Sequence, residues 1–471
     1  MAITYALAID IGASSGRHIL GSIQNGKWVL EEVYRFENGA VNENGLLCWD
    51  REKLENHILA GMKKCKDLGK IPASVGVDTW GVDFVLVDEK GMPVSPMVMY
   101  RDERTNAVVD AIDHETLYML TGIAKQPFNT VYQLMATPGE WLEKAHRCLF
   151  VPDYFHFFLS GVMANEYTIA STSALLTAGK AEWNEHVFAL AQIPLRLFPD
   201  APLMPGTVLG KLTSKVQEAV GYTCDVILPA SHDTGSAYMA VPAKDENAVY
   251  LSSGTWSLLG IETNDTHLGD TARLAGFTHE GAYGGKVRLL RNIMGLWMLQ
   301  CVRHELNDKY SFAQMADMAS ASAYAYTVDA GDNRFLAPDS MTEEVKAALR
   351  EQGAPLPETE SDLFACINRS LSLCYARAIR DLETLTGKTF TSLNIVGGGS
   401  NSRVLNQWTA DATHLPVYAG PGEGTALGNI MAQFIARGEV ASLHDARKMI
   451  PDSFDVITFL GDSITTPLAK D

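Results

Sequence analysis

Near the midpoint of the 471-residue chain, an apolar run, Val226-Ile-Leu228, meets Pro229-Ala-Ser-His-Asp-Thr234 and then the small residues Gly235-Ser-Ala237. This is the pattern of a strand that ends where a helix begins, with Asp233 at the junction. A carboxylate at that point stands at the carboxyl end of a strand, where open α/β sheets bind their ligands. Asp233 is therefore read as a catalytic base. The plainer alternative is that Ser231 or Asp233 caps the helix, since Ser and Asp lead the N-cap preferences.

A second acid opens the chain. Tyr5-Ala-Leu-Ala-Ile-Asp-Ile11 reads as a buried strand, Gly12-Ala-Ser-Ser-Gly16 as a turn of small residues, and Arg17 to Ile23 as the returning strand. Asn25-Gly26 then turns into a third strand, Trp28 to Phe36, completing an antiparallel meander. Backbone amides on a tip without large side chains can surround phosphate oxygens, and Asp10 just before it can hold a hydrated Mg²⁺. A plain tight hairpin is the alternative. The same plan of strand, small polar turn and strand recurs at Ala248 to Gly260, with Thr255 on its turn. Two such units predict duplicated domains whose hairpins face one cleft and grip a triphosphate from both sides. Ser392 to Val396 reads as a strand running into Gly397-Gly-Gly-Ser-Asn401. Bare backbone there can receive a flat adenine, or it can be a mobile connection.

These residues need elements to place them. Asp50 starts a helix, Arg51 to Lys66, and Ala73 to Asp78 follows as a strand. Trp80 beside Gly81 offers a flat wall next to approachable backbone, and Asp83 a carboxylate able to accept from hydroxyls, although a Trp in a core is commoner than one in a sugar site. The segments Tyr100 to Asn106 and Pro127 to Thr130 can line the same pocket or form surface loops, and Pro152 to Leu159 reads as a buried helix. The charged bridge Ala243 to Asn247 marks a boundary. It divides the chain into an N-terminal domain, 1–243, carrying the sugar site and base, and a C-terminal nucleotide-binding domain, 244–471. Helices are expected at Ile293 to Glu305 and, with Ser361 as N-cap, at Ser361 to Leu385.

Composition narrows the partners. A formal net charge of −18 excludes the basic face that nucleic acid or an acidic membrane requires. Seven cysteines, odd in number and never in a CxxC pair, read as reduced thiols of a cytoplasmic protein. The first residues lack a basic signal-peptide region, and no stretch reaches about 18 uncharged apolar residues. Two glycine-rich stretches are decoys: Gly281 to Lys286 is one residue short of a P-loop, and Gly420 to Gly424 lacks the βαβ context of a dinucleotide fingerprint.

Taken together, Ile9-Asp-Ile-Gly-Ala-Ser-Ser-Gly-Arg17, Asp78-Thr-Trp-Gly-Val-Asp-Phe84, Tyr100-Arg-Asp102, Ser231-His-Asp-Thr234, Leu251-Ser-Ser-Gly-Thr-Trp-Ser257, Asn292-Ile-Met-Gly-Leu-Trp297 and Val396-Gly-Gly-Gly399 resemble the motif series of the FGGY carbohydrate kinases. The similarity runs in order through nearly the whole chain. It implies an α/β fold of two duplicated ribonuclease-H-like, actin-like ATPase domains around an interdomain cleft that holds ATP and Mg²⁺. It also implies that Asp233 is the proton acceptor and that Gly81, His232, Asp233, Thr234 and Asn292 meet the sugar. Ala13, Ser14, Ser15, Gly16, Arg17, Thr255, Gln300 and Gly398 match the ATP site. Gly422, Gly424 and Gly235 depart from the family's usual Val, Ala and Ala. Within the family the motifs are most similar to those of kinases that phosphorylate the 1-hydroxyl of L-rhamnulose. Another ketose, such as L-fuculose or xylulose, or a non-catalytic actin-like ATP-binding role, is the alternative.

Overall fold

The computed structural model describes residues 3–461. The chain groups into two units: one takes the residues up to Ala240 together with Glu262–Leu290 and Gly424–Ser453, and the other takes Val241–Ile261, Arg291–Glu423 and the chain from Phe454 on.

In the first unit the apolar run at the N-terminus becomes β1 (Ala6–Ile11), buried along its whole length. It pairs antiparallel with β2 (Ser15–Gln24), which pairs antiparallel with β3 (Lys27–Glu37). Helix α1 (Arg51–Asp67), capped by Asp50 accepting from the Lys53 N–H, leads to β4 (Ser74–Thr79), parallel to β1. Helix α2 (Val151–Ser160) precedes β5 (Val208–Lys211) and β6 (Asp225–Ile227), after which α3 (Asp233–Met239) begins. The sheet order is β3-β2-β1-β4-β6-β5, with β4 and β6 parallel and β5 antiparallel at the edge. Central strands covered on both faces read as unbroken apolar runs. Ile58 and Met62 of α1 join Leu7, Ile9, Val75 and Val77 in one core cluster. On helix Gly424–Ala436, Gln433 donates to the Leu7 carbonyl (3.0 Å) and Asn429 to the Gly76 carbonyl (3.1 Å).

The second unit repeats the opening. β7 (Ala248–Ser253) pairs antiparallel with β8 (Ser257–Thr263). Helices α4 (Trp297–Glu305) and α5 (Glu360–Thr386) lead to β9 (Ser392–Val396), parallel to β7. β10 (Val417–Ala419) adds in parallel and β11 (Ile457–Phe459) antiparallel.

Three boundaries differ from the sequence reading. The first turn spans only Gly12 to Ser14, because Gly16 already pairs with Ile11 and its missing Cβ leaves room for the Phe36 ring, 2.1 Å from where that atom would stand. Ile293 ends a strand rather than starting a helix. Gly295, at φ +59°, packs against the Trp256 backbone before α4 begins. Helix α5 is capped by Thr359 in a reciprocal box with Asp362, not by Ser361. Among the described residues no helix is long and apolar enough to cross a membrane.

Candidate active site

The carboxyl ends of β1, β4 and the segment after β6 bring three acids together in the first unit. Asp10 and Asp78 are register partners on adjacent parallel strands. The chain beyond β6 continues alongside β4, with the Thr79 N–H donating to the Ser231 carbonyl (3.0 Å) and Thr79 bridged to His232. Asp233 follows directly as the first residue of α3. His232 occupies the N-cap position without making a side-chain cap, and Ser231 turns its hydroxyl to the Pro229 carbonyl (3.4 Å). The capping alternative therefore fails for Ser231. Asp233 Oδ1 accepts from its neighbour Thr234, from the N–H at 2.5 Å and the hydroxyl at 3.1 Å, and lies 3.4 Å from His232 Nε2.

The electrostatics of the three acids differ. The Asp233 side chain is 33% exposed, yet burial of its surroundings raises its proton affinity above that of an ordinary carboxylate. His232 and the Thr234 bonds pull the other way, and the charge of Asp10 adds to the rise. Asp78 is fully buried, and burial together with the Asp10 charge raises it well above the usual range against the hydrogen bond from Asn429 Nδ2 (2.6 Å). Among the described residues its Oδ1 has no hydrogen-bond partner. Asp10 is held by Arg17, whose Nε and Nη2 lie 3.0 and 2.8 Å from the same Oδ2.

The β1–β2 turn follows Asp10. Asn38 takes up the Gly12 carbonyl through its side chain (2.9 Å) and the Ser14 carbonyl through its N–H (3.0 Å), while the Gly12 N–H closes the turn onto the Ser15 carbonyl (2.9 Å). With the Gly12, Ser14 and Ser15 carbonyls engaged, the Ser14 and Ser15 hydroxyls are available as donors to a ligand. In the second unit the β7–β8 turn is closed by the Gly254 N–H on the Trp256 carbonyl (2.8 Å). The start of α4 is tied to it, with the Leu296 and Trp297 N–H groups on the Gly254 and Thr255 carbonyls (3.1 and 3.0 Å). This brings Thr255 Oγ1 within 3.5 Å of Gln300 Oε1. Asn292 is half-buried on the strand Val287–Ile293. Gly398 lies beyond β9, exposed, with open space where a Cβ would stand, while Gly397 and Gly399 press on Ser253.

The structure thus brings His232, Asp233 and Thr234 together with Asp10 and Arg17 in one unit, and Thr255 with Gln300 in the other. Gly81 sits where a Cβ would meet Thr172 at 3.2 Å, between Trp80 and a Val82 held at φ +69°. Asp83 is a correction. It is fully buried, and its oxygens are taken by Trp49 Nε1 (2.7 Å), Trp80 Nε1 (2.9 Å), the Tyr100 N–H (3.1 Å) and Gln133 Nε2 (2.9 Å), so no oxygen remains for a sugar hydroxyl. Its role is to fix the aromatic wall, in which Trp49 and Trp80 lie 4.1 Å apart.

Sequence reasoning missed the buried groups that hold the site. Glu166 Oε2 accepts from the Ser231 N–H (3.1 Å) and the Thr168 hydroxyl (2.6 Å), which in turn accepts from the His232 N–H (3.2 Å). Glu280 and Arg288 close on His232, with Nδ1 3.2 Å from Glu280 Oε2 and 3.0 Å from Arg288 Nη2. Only the burial of charged residues in apolar surroundings could have marked them, and that is invisible before folding.

Models of the N-terminal and C-terminal domains of the FGGY family of carbohydrate kinases match residues 5–240 and 249–437. The chain belongs to the FGGY family of carbohydrate kinases. Its family relatives include the rhamnulokinase of Halalkalibacterium halodurans, 44% identical over 96% of this chain and 98% of that one. The rhamnulokinase of Bacillus subtilis is 38% identical over 96% and 94%. Among solved structures, gluconate kinase and xylulose kinase from Lactobacillus acidophilus align with TM-scores of 0.78 and 0.77 at 15% and 14% identity, each over 98% of this chain and 94% of theirs. The FGGY fold is thus two ribonuclease-H-like domains. In the first unit it is the order β3-β2-β1-β4-β6 with only β2 reversed, and in the second β8-β7-β9-β10 repeats it from the reversed strand onward.

Proposed function

We propose that this chain transfers the γ-phosphoryl group of ATP to the 1-hydroxyl of L-rhamnulose, giving L-rhamnulose 1-phosphate and ADP. The observation that carries the reading is Asp233: a carboxyl of raised proton affinity, open to a ligand, at the head of a helix and the end of a sheet. Full-length relatives named rhamnulokinase at 38 to 44% identity support the choice of sugar.

Asp233 takes the proton of the attacking hydroxyl as its oxygen bonds to the γ-phosphorus and the bond from that phosphorus to the β,γ-bridging oxygen breaks. Enzymatic phosphoryl transfer depends on such positioning and on partners for the phosphate charge. His232 orients a sugar hydroxyl, and Thr234 and the approachable backbone of Gly81 complete this unit's sugar contacts. Asn292 supplies the second unit's contact. Ala13, Ser14, Ser15, Gly16 and Arg17 present donors to phosphate oxygens. In the second unit Thr255, Gln300 and the bare backbone of Gly398 serve the nucleotide.

Among the described residues no three acidic, His or Cys side chains converge to hold a metal ion directly, which leaves a hydrated cation held at its edge by one carboxylate. Asp10 and Asp78 are register partners, the charge of Asp10 acts on Asp233 as well, and Asp78 Oδ1 is an orphaned buried oxygen among the described residues. Asp10 would hold Mg²⁺ through water, the mode that suits this ion. Bound with ATP, Mg²⁺ would neutralise charge on the phosphate oxygens.

ADP release measured with Mg²⁺-ATP over a panel of ketoses tests the reading. L-rhamnulose should give the highest kcat/KM, with phosphate on its primary oxygen by ³¹P NMR. A tenfold preference for L-fuculose or xylulose, or ADP release indifferent to sugar, would overturn it.

A further inference from the structure

His232 is the one site residue whose ring is gripped at one nitrogen while the other faces the reacting carboxylate. Arg288 has a side chain with 0% exposure and Glu280 one with 7%, and Arg288 Nη2 lies 3.1 Å from Glu280 Oε2. The same Nη2 lies 3.0 Å from His232 Nδ1, and Arg288 Nε is anchored on the Gly281 carbonyl (2.8 Å). On the far side of the ring, Nε2 lies 3.4 Å from Asp233 Oδ1.

A guanidinium only donates, so a ring nitrogen facing it must present a lone pair. One Nη2 proton goes to His232 Nδ1, while Glu280 Oε2, 3.1 Å from Nη2 and 3.2 Å from Nδ1, makes no hydrogen bond with either. The ring proton then sits on Nε2 and points toward Asp233. A neutral ring with its proton on Nδ1 would turn a lone pair toward the Asp233 carboxylate. An imidazolium would set an N–H against the guanidinium at 3.0 Å inside the fold.

We infer that Glu280 and Arg288 are positioning residues that fix His232 as a neutral Nε2–H donor. Held so, His232 donates to Asp233 or to a substrate oxygen and cannot accept the substrate proton from its occupied Nδ1 side, which leaves Asp233 the sole base. The inference rests on the reading of Asp233 as base.

The test is ¹⁵N NMR of the histidine rings in the full chain, with the His232 signals assigned by their loss in His232→Gln. The wild-type protein should show Nε2 protonated and Nδ1 bare. In Arg288→Met, Glu280 is left to accept from the ring, so the proton should move to Nδ1 and kcat should fall roughly tenfold, the worth of one orienting hydrogen bond, with KM for ATP unchanged. Arg288→Lys, which keeps a donor, should restore the Nε2–H form and part of kcat. A bare Nε2 or an imidazolium in the wild-type protein overturns the inference without any variant having to fold, and so does an unchanged ring in Arg288→Met. Failure of the base assignment reads out separately, as near-normal turnover in Asp233→Asn while the ring signals stay as expected.

Discussion

Gly428 shows how far a single methyl should reach. It lies on helix Gly424–Ala436 where that helix crosses α3, and a Cβ at this position would stand 1.8 Å from the Ser236 carbonyl oxygen and 2.5 Å from its carbon. An ordinary carbon–oxygen contact needs about 3.4 Å, so in Gly428→Ala the two helices must part by roughly 1.5 Å. Ser236 is three residues from Asp233 on the same short helix, and the contact is with backbone, which cannot swing aside. Overpacking a close-packed interior costs about 1–3 kcal/mol, and about 2 kcal/mol lowers Tm by roughly 4–8 °C for a domain of this size. The larger effect is on rate, because displacing a reacting group by about 1 Å costs on the order of 10²-fold. Steady-state kinetics and thermal melts of Gly428→Ala should show both losses. Gly39→Ala, where a Cβ meets nothing within 4 Å, should show neither. A Gly428→Ala enzyme with wild-type kcat and Tm would refute the claim that the packing of these helices sets the position of the base.

Two further outcomes follow from buried groups elsewhere. Burial pushes Glu166 up to about 7 from an ordinary 4.5, against hydrogen bonds from Thr168, Ile169 and Ser231. With its folded value raised, the stability it contributes is fully present below about 4.5 and is lost as pH rises through 7. Denaturant titrations should show wild type weakening relative to Glu166→Gln across that window by at most about 3 kcal/mol, and parallel curves would contradict the assignment. In the second unit, Gly397 sits at φ +85° and ψ −172°, a region open to glycine alone, with a Cβ position 2.9 Å from the Ser253 carbonyl. Gly397→Ala should raise the Kd for an ATP analogue about tenfold, about 1.4 kcal/mol, a share of the roughly 1–3 kcal/mol such backbone costs. The KM for sugar should be unchanged, and unchanged calorimetric binding would count against the nucleotide role of this loop.

What the sequence disclosed was local. The strands Ala6–Ile11 and Ser392–Val396, the turns after them and the start of α3 are written in runs of apolar residues and the small residues that stop them. The cap of α5 was misplaced at Ser361, although an acid stands three residues after Thr359 and Phe364 three after Ser361. What stayed hidden was non-local. Asn429 meets Asp78 across 351 residues and Arg288 meets His232 across 56, and nothing in either neighbourhood announces its partner. Asp83 misled because a carboxylate near Trp80 looks free until Trp49, 34 residues earlier, brings its indole N–H down on it. The return of Glu262–Leu290 and Gly424–Ser453 to the first unit has no mark at the charged bridge near Lys244, since a composition shift records a linker and not the later course of the chain.

The account stands most directly on Asp233→Asn. The amide can still accept from the Thr234 N–H and hydroxyl, so α3 keeps its first turn, but it cannot take a proton. Turnover of L-rhamnulose should fall roughly 10²- to 10⁴-fold, the range for a positioned acid–base group, while ATP binding is retained. A variant that turns over at near-normal kcat would contradict the account.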